Sequence, residues 1–85
     1  MKFSVFYDKQ PKRFLKKLDK KLTKRILNKI NRVLSNDPVP HDAKPIVGKH
    51  GVFRIRIGGY RALYRINYKE KKVIVFKLDK RSRIY

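Results

Sequence analysis

The sequence predicts an α+β domain with element order β-α-α-β-β-β: a helical hairpin packed on one face of a small, mainly antiparallel sheet. Three observations carry that reading. Apolar residues alternate over the first few positions. They then recur with a helical period until Pro38, and alternate again in three runs beyond residue 51. At 85 residues the chain has room for one domain, taken as residues 1–85.

Each element follows from its residues. In Lys2-Phe3-Ser4-Val5-Phe6-Tyr7, Phe3, Val5 and Tyr7 share a face, as in a short strand. Asp8 and Pro11 mark a helix start. From Pro11 to about Asn36, Phe14, Leu15, Leu18 and Leu22 form one apolar stripe. Ile26, Leu27, Ile30, Val33 and Leu34 form a second, at i, i+1, i+4, i+7, i+8. The span is long for one helix, and Asp19 or Thr23 is placed to cap a second. Pro38 and Pro40 end the helical part, because proline lacks the backbone donor and clashes with the preceding turn. Residues 41–51 read as a loop. Val52–Ile57, Tyr60–Tyr68 and Val73–Leu78 read as strands.

Gly58-Gly59 is a two-residue hairpin signal, since primed turns need positive φ. It sets a register in which Ile57 faces Tyr60, Arg56 faces Arg61 and Ile55 faces Ala62. One face then holds Phe53, Ile55, Ile57, Ala62, Tyr64 and Ile66. The other holds Arg54, Arg56, Arg61 and Arg65. A three-residue turn at Lys69-Glu70-Lys71 would place Ile74, Phe76 and Leu78 on the apolar side, Lys77 on the basic side, and Asp79 opposite Arg61.

Charge separates these faces by function. The chain holds 25 Lys+Arg against 6 Asp+Glu, a formal net charge of +19. Such an excess points to an anionic partner, nucleic acid first and an acidic protein second. Six of the nine arginines lie in 54–83, whereas lysine dominates the helices. Lysines on a helix face are ordinary solvated charges. Arginines opposed on a sheet repel one another, and the guanidinium grips phosphate bidentately.

Other chemistry is sparse. There is no cysteine, so no disulfide or thiolate site. No apolar run approaches membrane-spanning length and no signal peptide is recognised, so a cytosolic protein is expected. The six acids are scattered without metal-site or glycosidase spacing. His41 and His50 read as surface loop residues. Gly58-Gly59 lacks the Lys-Ser/Thr of a nucleotide-binding loop. Metal-free RNA cleavage is compatible with this inventory, because RNA carries its own nucleophile, the 2′-hydroxyl. A protein need only align it, stabilise the added charge and assist proton transfer.

The stretch Lys44-Pro45-Ile46-Val47-Gly48, followed by Val52-Phe53-Arg54-Ile55-Arg56-Ile57-Gly58-Gly59-Tyr60-Arg61-Ala62-Leu63-Tyr64-Arg65-Ile66, resembles the core of the RelE/ParE toxin superfamily. The ending Asp79-Lys80-Arg81-Ser82-Arg83-Ile84-Tyr85 is similar to that family's closing motif. The resemblance covers the whole chain and implies a RelE-like fold, archaeal-like in type. It implies the toxin of a type II toxin–antitoxin pair, a cytoplasmic, ribosome-dependent endoribonuclease that cuts mRNA in the A site without metal or cofactor. The implied partners are the ribosome with its rRNA, the mRNA, and an acidic RelB-like antitoxin in a heteromeric complex.

Carried over by position, the resemblance implies catalytic roles for Arg54, Arg56, Arg61, Arg81 and Tyr85, with Arg61 on the transition state. It implies RNA contacts for Arg65, Lys77, Lys80 and Arg83. One departure is that bacterial RelE-type members have lysines where this chain has Arg54 and Arg56. One of those lysines is proposed there as general base, a role unsuited to arginine, which stays protonated. Tyr85 and Lys80 are the alternatives in this sequence. Two other functions fit parts of the pattern: a ParE-type gyrase-inhibiting toxin, and a non-catalytic basic RNA-binding protein.

Overall fold

The computed structural model describes residues 2–80. Elements follow in the order β1 (Ser4–Tyr7), α1 (Lys9–Lys16), α2 (Lys20–Asn36), β2 (Lys44–Pro45), β3 (Val52–Ile57), β4 (Tyr60–Asn67) and β5 (Lys72–Lys80). The five strands form one sheet in the order β1-β5-β4-β3-β2. β1 runs parallel to β5 and the other pairings are antiparallel. Residues 81–85, and with them Arg81, Arg83 and Tyr85, lie outside the described residues.

The helical span breaks between Lys16 and Lys20, and of the two candidate caps Asp19 takes the N-cap of α2 while Thr23 lies inside that helix. The Asp19 carboxylate accepts from the Lys21 backbone N–H at 3.0 Å and caps α2. The Thr23 hydroxyl donates to the Leu15 carbonyl at 2.8 Å, an acceptor at the end of α1 that also takes the Leu18 N–H at 3.2 Å. Pro11 falls in the first turn of α1, where its missing N–H costs no intrahelical bond.

The core lies between the helices and one sheet face. Leu15, Ile26, Ile30 and Leu34 meet Ile55, Ile57, Ala62, Tyr64, Val73, Val75 and Leu78, all buried. The β3–β4 register matches the reading from the glycine turn at all six pairs, from Ile57↔Tyr60 to Val52↔Arg65. Gly58 takes a φ of +59°, as the first position of a primed turn demands.

The second hairpin corrects the expected register. Asn67 pairs with Lys72, so the turn holds residues 68–71, one more than expected. Asn67 makes that turn by accepting from the Glu70 N–H and donating to its carboxylate, each at 3.0 Å. The extra residue rotates the start of β5, so Val73 and Val75 face the core while Ile74 and Phe76 turn outward. An irregularity beside Leu63/Tyr64 then leaves Phe76 without a partner. Beyond it the expected register returns, with Leu63↔Lys77, Ala62↔Leu78 and Arg61↔Asp79. Past Val75, where β1 stops, the Gln10 amide donates to the Leu78 carbonyl at 2.9 Å and accepts from its N–H at 2.8 Å, occupying the vacated strand edge.

The expected loop over 41–51 contains the edge strand β2, with Lys44↔Arg54 and Pro45↔Phe53. Two residues give no readable period, and proline fits an edge strand because its missing donor costs no ladder bond there. The chain leading into β2 is pinned from below, since the buried Tyr64 hydroxyl donates to the Pro38 carbonyl at 2.7 Å.

Burial raises the Tyr64 phenol well above its ordinary range, with Asp37, Tyr68 and Asp42 adding to the effect. Burial alone pushes Tyr7 up to about 12. In the unfolded chain both ionise near 10.0. Their contribution to stability is thus complete below pH 10 and is lost as pH rises through the folded-state values. Tyr64→Phe should lower stability at neutral pH by about 1–3 kcal/mol, because Pro38 loses its donor in a buried setting. Thermal melts of this variant at neutral pH and above pH 10 should show a smaller alkaline loss than the parent. An equal alkaline loss would remove Tyr64 as its source.

A basic groove at the edge of the sheet

The outward face of the sheet is divided. Toward β1 it is apolar and half-buried, with Leu63, Ile74 and Phe76, and with Phe6 exposed. Toward β2 it is cationic. There a groove of about 460 Å³ is lined by Lys29 of α2, His41 and Asp42, Lys44 of β2, Arg54 and Arg56 of β3, Gly58 of the turn, and Arg61 of β4.

The strand geometry explains how the arginines meet. Arg54 and Arg56 are two apart on β3 and share a face. Arg61 stands directly across from Arg56, where side chains of an antiparallel pair are only roughly 4.5–5.5 Å apart at Cβ. Arg56 is exposed, and its Nε donates to the Gly58 carbonyl at 3.4 Å. Arg54 and Arg61 are half-buried. Asp79 lies opposite Arg61 in the β4–β5 ladder, and its carboxylate accepts from the Lys80 N–H at 2.7 Å. Opposed like charges work against a sheet. A cluster of guanidinium donors on a rigid hairpin can, however, grip a phosphate with two or more anionic oxygens.

Of the residues singled out in the sequence, the structure brings Arg54, Arg56 and Arg61 together in this groove. It does not bring Arg65 there. Arg65 lies over the Phe76 ring at 5.6 Å and approaches the Asp8 carboxylate at 3.9 Å. Both groups of that ion pair are about half exposed, so it adds little stability. Lys77 sits across from Leu63, and Lys80 is exposed at the end of β5 across from Tyr60. Neither lines the groove.

Besides Gly58, the groove holds four residues not singled out as site residues from the sequence: Lys29, His41, Asp42 and Lys44. The pairing of β2 with β3 carries the last three there. Ala43 donates its N–H to the Pro40 carbonyl at 3.0 Å, closing a tight turn with His41 and Asp42 at its tip. Among the described residues, no group of three or more His, Cys, Asp or Glu is placed to hold a metal ion. No helix among them is long and apolar enough to cross a membrane.

Known proteins resemble this chain over nearly its whole length. The family model for the ParE toxin of the parDE type II toxin–antitoxin system matches residues 5–85. A protein of Methanocaldococcus jannaschii assigned as a RelE1 toxin is 31% identical over 88 residues, covering 100% of this chain and 97% of its own. The RelE–RelB complex of Pyrococcus horikoshii contains a chain that superposes with a TM-score of 0.82 at 32% identity, covering 98% of this chain and 99% of that one. The RelBE2 toxin–antitoxin complex of Mycobacterium tuberculosis gives a TM-score of 0.82 at 27% identity, covering 96% and 94%. Sequence and fold thus converge, and the chain belongs to the RelE/ParE superfamily of toxins from type II toxin–antitoxin systems.

Proposed function

We propose that this toxin is a ribosome-dependent endoribonuclease that cuts mRNA in the A site without a metal ion and so stops translation in the cytoplasm. The observation that carries this reading is the convergence of Arg54, Arg56 and Arg61 on one groove, with Arg56 and Arg61 directly opposed. The 2′-hydroxyl of the RNA attacks the adjacent phosphorus. Charge then accumulates on the phosphoryl oxygens, where preorganised guanidinium groups stabilise it more than they stabilise the ground state. Arg81 and Tyr85 act at the same centre, as the resemblance implies, with Arg65, Lys77, Lys80 and Arg83 holding the RNA outside it. The lysines of α1 and α2 supply a diffuse field for rRNA.

The partner that restrains this activity is an acidic RelB-like antitoxin in a heteromeric complex. The two solved relatives described above are toxin–antitoxin complexes, and this chain's charge of +19 calls for a carboxylate-rich companion. A second reading is favoured by the matching family model, whose description is a ParE toxin. In that reading the groove binds gyrase and cuts nothing.

One experiment separates the two. Purified toxin is added to a translating extract, mRNA ends are mapped by primer extension, and gyrase supercoiling is measured in parallel. The expected result is new ends at A-site codons with supercoiling intact. Loss of supercoiling with intact mRNA would establish the second reading.

A further inference from the structure

The groove has charge in excess, yet its strand positions offer no base. Arginine does not release its proton in proteins. Lysine ordinarily holds its proton far above neutral pH, and a carboxylate is ordinarily a weak base there. Histidine exchanges a proton near neutrality. The groove contains one histidine, His41, at the tip of the Pro40–Ala43 turn.

That turn is anchored on both sides. Tyr64 holds the Pro38 carbonyl from within the core, and Ala43 packs against the core. The Lys44↔Arg54 pairing then fixes the chain three residues beyond His41, and three residues reach at most roughly 10 Å. The groups that share the groove with the imidazole are Lys29 of α2, Asp42 beside it, Lys44 of β2, Arg54 and Arg56 of β3, and Arg61 of β4. His41 is exposed, which leaves it open to incoming RNA.

We propose that His41 is the general base of this toxin, a role that rests on the nuclease reading above. The 2′-hydroxyl gives its proton to the neutral imidazole as its oxygen bonds to phosphorus. The bond from phosphorus to the 5′-oxygen breaks, and that oxygen takes a proton from water. The imidazolium returns its proton to the hydroxide so formed. The products are a 2′,3′-cyclic phosphate and a 5′-hydroxyl. Arginines at the two β3 positions are then consistent with activity, because the base has moved to the β2 turn.

The test uses single-turnover cleavage on ribosomes programmed with a defined A-site codon. His41→Ala and His41→Gln should each slow cutting by roughly 10²-fold, with ribosome binding and melting temperature unchanged. The wild-type rate should climb with pH through neutrality and level off, and both variants should lose that climb. Free imidazole should restore part of the His41→Ala rate. Variants that cut within about threefold of wild type, or that keep the climb, would overturn the assignment and leave the nuclease reading standing. A wild-type protein that cuts no mRNA on ribosomes would remove both.

Discussion

Arg61→Ala is expected to slow A-site cleavage by roughly 10²–10³-fold, the usual cost of removing one preorganised charge from a developing anion. The loss should fall on the chemical step, because many other cations remain for ribosome binding. Stability should change little. Arg61 faces Arg56 across one hairpin and Asp79 across the other, and like and opposite cross-strand charge pairs each count for roughly 0.2–1 kcal/mol with opposite sign. The variant should therefore melt close to the parent while losing activity. Single-turnover rates, ribosome binding and a thermal melt on one preparation check all three. Cleavage at the parental rate would remove Arg61 from the site. A lowered melting temperature would make its role structural.

Ile30→Ala is the second large effect, and it acts on the fold. Ile30 has no exposed surface and lies mid-way along α2, against the sheet. Truncating such a side chain costs about 2–5 kcal/mol, from lost burial and the cavity left behind. Small domains have total stabilities of roughly 5–15 kcal/mol, and the net charge of +19 adds self-repulsion here. A fall in melting temperature on the order of 10–20 °C should follow. Val47→Ala is the control, at a side chain 97% exposed, and should change little. An Ile30→Ala protein within about 1 kcal/mol of the parent would mean that helix–sheet packing is not the main stabilising contact.

Much of this was legible in the sequence because a few residues set geometry for many others. Gly58-Gly59 fixed one hairpin, and that hairpin placed Arg56 against Arg61. The helical periodicity gave both helices, although their boundary waited on two hydrogen bonds, from Lys21 to Asp19 and from Thr23 to Leu15. The second hairpin was less legible. Whether its turn held three residues or four depended on the Asn67–Glu70 side-chain contacts, and a bulge at Phe76 hid the difference from Leu78 onward. The groove was half legible. Its arginines lie on periodic strands, but Lys29, His41, Asp42 and Lys44 reach it through a two-residue edge strand and a tight turn. No local pattern announces a pairing that short. The role proposed for His41 comes from its place in the groove and not from its position in the sequence.

If this groove promotes attack by the RNA's own 2′-oxygen within the ribosome, removing that oxygen must abolish cutting. The most direct measurement programs ribosomes with an mRNA carrying either a ribose or a 2′-deoxyribose at the A-site nucleotide 5′ of the cut, and maps the products with the wild-type toxin. The all-ribose message should be cut to a 2′,3′-cyclic phosphate and a 5′-hydroxyl, and the deoxy position should not be cut. Equal cutting of both messages, or an uncut ribose message on toxin-bound ribosomes, would contradict that role for the groove.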